Sequence, residues 1–90
     1  MRTDKRFDHD VLNMVPARKT SHNTLGVINA VQDHSPEEQV AAIAATFLLM
    51  CEHYDIEPRQ ALTVSSRIIN HSEGKYPEFA GVRDYMENEL

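Results

Sequence analysis

Tryptophan is absent from this 90-residue chain, cysteine occurs once, and glycine and proline supply only three and four residues. Such sparse punctuation argues against a many-turned β-sandwich and suits a few helices joined by short loops. Cys51 cannot form an internal disulfide, and its place inside the most apolar stretch points to a reducing, cytoplasmic compartment. The longest apolar run, Val40 to Cys51, covers twelve residues. That is well short of the ~20 a membrane helix needs. The opening residues MRTDKRFDHD are charged and lack an apolar core, which argues against a signal peptide. Neither an internal repeat nor a low-complexity tract divides the chain, so residues 1–90 read as a single helical domain.

What is present is ordinary for a globular chain. Apolar residues are 41% and charged residues 26% of the total, which favours neither a disordered nor a fibrous reading. A domain this small buries only about 60 to 65% of the surface its unfolded chain exposes, so modest stability is expected. The net charge of −5 is unevenly placed. Residues 1–22 hold five Lys or Arg against three Asp, residues 23–55 hold five acids and no Lys or Arg, and residues 56–90 hold four Lys or Arg against six acids. A uniformly basic nucleic-acid binder is thereby disfavoured, whereas a local basic patch is not.

The expected fold is all-α, with about five helices in a bundle-like or orthogonal array. Phe7, Val11 and Met14 would line a short helix from about Thr3 to Met14, ended by Pro16. Ala17 to Asn23 is polar and without hydrophobic period. It reads as a loop, so that residues 1–22 form a partly mobile basic arm carrying Arg18 and Lys19. Leu25, Ile28 and Val31 then recur every three residues, with Asn23 or Thr24 as the cap. The clearest local signal is HSPEEQ, in which Ser35 and Glu38 can cap one another and Pro36 takes the first helical position. The central apolar helix so started should run from about Pro36 to His53, since VAAIAATFLLMC holds no breaker. Pro58 opens another helix expected to reach about Ser72, with Gly74 as its stop. Tyr76 and Pro77 open an amphipathic last helix with Phe79, Val82, Met86 and Leu90 on its apolar side.

Little in the chain speaks for catalysis. The histidines at positions 9, 22, 34, 53 and 71 form no i,i+4 pair. Without a zinc-helix or CxxC pattern, neither a metal nor a cofactor is expected. Cys51, His53 and Asp55 make the nearest approach to a ligand cluster, but Cys51 more simply reads as a small buried hydrophobe. Its neighbours Leu49, Met50 and Glu52 do nothing to lower a thiol pKa. The sequence carries no phosphate loop, no GxSxG and no acid pair within an apolar run.

Two surfaces remain. A helix apolar on nearly every side has to be covered on every side. Either the other helices surround it, or a second copy packs on it around Ile43, Phe47 and Met50 as a symmetric dimer, and the dimer is favoured. The polar side of the Pro58 helix gathers Arg59, Gln60, Thr63, Ser66, Arg67 and Asn70 without an acid. These side chains suit either an acidic protein surface or, in a helix-turn-helix arrangement, base edges and phosphates. Nearby Glu52, Asp55, Glu57 and Glu73 oppose the nucleic-acid reading. In general form the chain resembles small accessory proteins of bacteria and their phages. The function expected is therefore a non-catalytic interaction or regulatory module with a protein partner, self-associating as a dimer and not bound to membrane. A DNA-binding regulator is the alternative, and a subunit of a larger assembly the third.

Overall fold

The computed structural model describes residues 6–71, 74–75 and 77–90. Among these residues lie five helices: α1 (His9–Asn13), α2 (Ala17–Val31), α3 (Pro36–Tyr54), α4 (Pro58–Ile69) and α5 (Pro77–Glu89). Between α4 and α5, β1 (Asn70–His71) pairs antiparallel with β2 (Gly74–Lys75), placing Asn70 opposite Lys75 and His71 opposite Gly74. The class is all-α.

The start of α3 follows directly from local chemistry. The Glu38 amide donates to Ser35 Oγ at 3.2 Å, and the Ser35 amide donates back to Glu38 Oε1 at 3.1 Å. This reciprocal cap satisfies two amides that the helix itself cannot. The other end closes at Asp55, which takes the left-handed conformation (φ 58°). The Ile56 amide can then donate back to the Cys51 carbonyl at 2.8 Å. Two residues on, Glu57 caps α4 by accepting from the Gln60 amide at 3.1 Å, with Pro58 at the first helical position.

Elsewhere the element boundaries differ from the sequence reading. Ala17–Asn23 is not a loop: it is the first half of α2, which starts directly after Pro16. Its polarity conceals a helical row of small residues, in which half-buried Ala17 and buried Ser21 precede half-buried Leu25 and buried Ile28 on one side. The hydroxyls that made the stretch look loop-like fold back onto the helix: Thr20 Oγ1 donates to Pro16 O, Ser21 Oγ to Arg18 O and Thr24 Oγ1 to Thr20 O. In α1 the expected stripe is not the buried one. Val11 and Met14 are exposed, while Phe7, Leu12 and Val15 are half-buried. Helix α4 stops at Ile69 rather than near Ser72, because the chain turns into the β1–β2 pair there. Thr3, Ser72 and Tyr76 lie outside the described residues.

The core is small and sits between α2 and α5. Ile28, Phe79 and Val82 are 4–6% exposed, and Ala17, Leu25, Ile68, Ile69 and Tyr85 pack against them. Of the stripe expected on α5, Phe79 and Val82 face inward but Met86 and Leu90 remain exposed; half-buried Tyr85 extends the inner side instead. The Tyr85 hydroxyl lies between the side-chain oxygens of Asn29 and Gln32, 2.9 Å from the latter, and ties α5 to α2. Burying that ring edge with its hydroxyl bonded avoids the 1–3 kcal/mol typical of an unsatisfied polar group.

The molecule keeps far more surface than its mass requires. Its accessible area is 7064 Å², against about 5,400 Å² expected of a folded monomer of 10.3 kDa. The radius of gyration is 14.0 Å, where about 12 Å suits a compact domain of this length.

Candidate functional site

Helix α3, the longest and most apolar element, is not surrounded by the others. Its inner line, Phe47, Cys51 and Tyr54, meets the rest of the domain, and of these only Cys51 is fully buried. Val40, Ile43, Leu48, Leu49 and Met50 are between 40% and 69% exposed. At about 100° per residue, the outward sector collects Glu38, Ala41, Ala42, Ala45, Leu48, Leu49 and Glu52, every one exposed. Of the three residues singled out from sequence, Phe47 is half-buried while Ile43 and Met50 flank it in the open. Leu48 and Leu49, which the sequence reading did not single out, project furthest from the core side. Projecting the helix around Ala45 would have found them.

A second surface is polar. Arg59, Gln60, Thr63 and Arg67 line an open groove of about 520 Å³ together with Val64 and, from α1, His9 and Asn13. A neighbouring hollow shares Asn13, Val64 and Arg67 and continues past Val15 and Ile68 to Ala17 at the start of α2. The structure thus brings four of the six expected face residues together and separates two. Ser66 is exposed outside the groove lining, and Asn70 has left the helix for β1, where its Oδ1 accepts from Arg83 Nη2 at 3.0 Å. Thr63 bonds its own helix, donating to the Arg59 carbonyl at 3.0 Å. His9 stacks edge-on against Phe7, with ring centroids 4.9 Å apart. Nothing in the spacing of His9 and Asn13 announced their place here, because α1 reaches α4 only through the turn at Val15 and Pro16.

Arg18 and Lys19 are exposed in the first turn of α2, on a helix where a loop was expected. That turn contains no acid, and Pro16 offers no side-chain cap. Cys51 is 3% exposed, free and buried. Next to it the His53 ring meets Tyr54 edge-on at 4.7 Å. Among the described residues, no three His, Cys, Asp or Glu side chains come together as a metal site, and no helix is long and apolar enough to cross a membrane. Among the described residues, the one resolved shift of a titrating group is at Glu38, whose carboxyl is held below its ordinary value by the Ser35 amide first and the Ser35 hydroxyl second. It belongs to the helix cap and serves no reaction centre.

No family model matches the chain, and no curated protein or solved structure matches it either.

Proposed function

We propose that this protein is a non-catalytic helical interaction module that pairs with a second copy of itself through α3. The observation that carries this reading is the exposure of an apolar helix whose outward sector complements itself. A symmetric interface needs one patch that fits its own copy turned about a two-fold axis, residue i meeting j and j meeting i. With a two-fold axis at Ala45 and the helices antiparallel, Leu48 of one copy meets Ala42 of the other, and Leu49 meets Ala41. Each leucine then falls on an alanine, and Ala45 meets its own copy at the axis. Glu38 faces Glu52 of the other copy at each end, so the apolar middle has to carry the affinity.

Five large apolar side chains of one helix, between 40% and 69% exposed, are surface of the kind that marks an interaction site.

Light scattering on a sizing column tests the reading directly. Pairing predicts a particle of twice the 10.3 kDa chain mass. Leu49→Asp should convert it to a monomer with unchanged helix content, because Leu49 is already 62% exposed and its loss opens no cavity. A wild-type chain that stays at 10.3 kDa at the highest soluble concentration would refute pairing.

A further inference from the structure

We propose that the groove between α1 and α4 is a docking site for an extended acidic peptide segment of a partner protein, separate from the α3 surface. The chain is acidic, with 14 Asp and Glu against 9 Lys and Arg. Yet neither the groove nor the hollow that continues it is lined by a single carboxylate. The groove instead presents two guanidinium groups and the amides, hydroxyl and imidazole of Gln60, Asn13, Thr63 and His9. Both arginines are exposed, and among the described residues neither is paired with a carboxylate.

The spacing fits one class of ligand. Arg59 and Arg67 stand eight positions apart on α4, roughly 12 Å along its axis. In an extended peptide, side chains four residues apart project from the same side at roughly 13 Å. Two carboxylates at that interval meet both arginines, and the residue between them lies over Thr63. Guanidinium prefers such planar oxygen pairs, which it can bind with two parallel N–H bonds.

Nucleic acid fits this groove less well. A recognition helix must enter the major groove with its polar side free, whereas here α1 walls that side of α4. Single strands are held by aromatic platforms, and no Phe, Tyr or Trp lines the groove, whose one ring is the His9 imidazole. A phosphate backbone also carries charge at every residue, which two arginines eight positions apart leave largely unmatched. A peptide can hold carboxylates opposite the arginines and neutral residues elsewhere.

Fluorescence anisotropy would test the site with a labelled peptide of about ten residues carrying Glu at every fourth position and Ser between. A Gln-for-Glu peptide and labelled single-stranded and duplex oligonucleotides form the comparison arms. The Glu peptide should bind and the Gln peptide should not. The paired substitution Arg59→Gln with Arg67→Gln should weaken binding about tenfold, the scale of two exposed ion pairs. Arg18→Gln with Lys19→Gln should leave it within about twofold, since those side chains lie outside the groove. Leu49→Asp should leave it unchanged, which separates failure of this site from failure of α3 pairing. Circular dichroism confirms that each variant is folded. Equal affinity for the Gln peptide, an unaffected Arg59/Arg67 variant, or tighter oligonucleotide binding through the same arginines would overturn the proposal.

Discussion

Helices α2 and α3 make an instructive pair. Helix α2 is sparsely apolar and largely polar to the eye, yet it supplies Ile28 to the core and is the main partner of α5. Helix α3 is apolar along most of its length, yet it leaves five large hydrophobic side chains between 40% and 69% exposed. The difference lies in what each helix finds beside it. Ala17, Ser21, Leu25 and Ile28 form one narrow row that a single neighbour, α5, can cover. The apolar girth of α3 would need neighbours on every side, and a chain of 90 residues does not provide them. Apolar content measures the demand for burial; packing decides how much of it is met within one chain.

The largest effect that sharpens this contrast is in the core. Phe79→Ala should destabilise the fold by about 3–5 kcal/mol, enough to unfold much of a small domain, because its side chain is 4% exposed among Ile28 and Val82. Urea unfolding of this variant beside Leu49→Ala makes the comparison quantitative. The Leu49 change should matter only at concentrations where chains pair. Equal, concentration-independent losses at the two sites would break it.

A smaller effect concerns the start of α3. Ser35→Ala should cost about 1 kcal/mol, read as a lower melting temperature. The same cap sets a pH dependence. Because the folded chain holds the Glu38 carboxyl below its ordinary value, Glu38 binds a proton more readily when unfolded. Its contribution is complete above the ordinary value of about 4.3 and fades as pH falls through the lower folded value. The difference in stability between wild type and Ser35→Ala should therefore shrink from pH 6 towards pH 3. A difference that holds constant over that range would show the carboxylate to be idle.

The smallest effect is at the other end of the helix. Asp55 sits at φ 58°, a conformation that glycine adopts without steric cost. Asp55→Gly should raise stability by about 0.5 kcal/mol, measured by urea unfolding, and leave both surfaces unaltered. A loss would mean that the Asp55 side chain does something at this cap besides tolerate its geometry.

Legibility in the sequence followed the range of the forces involved. The Ser35 and Glu38 cap, the Pro36, Pro58 and Pro77 starts and the buried Phe79 and Val82 were readable, because each depends on residues within a turn or two. The α2 start was not, since Ala17 looks like a loop residue until Ile28, Phe79 and Val82 are placed beside it. Of the polar face, Arg59, Gln60, Thr63 and Arg67 were readable as one side of a helix. Asn70 was not, because the chain leaves the helix one residue earlier, and His9 and Asn13 join the groove only through the fold.

By itself, the sequence determined that this chain is helical, where most helices start, and that α3 carries more apolar surface than a small domain can hide. Capping, proline placement and periodicity are local, and local interactions do not wait for a fold. Only the tertiary structure decided which apolar residues are covered, that α5 pairs chiefly with α2, and that α1 closes a polar groove against α4. Those outcomes rest on contacts between residues far apart in the chain, where the winner is whichever packing buries most surface with its polar groups still bonded.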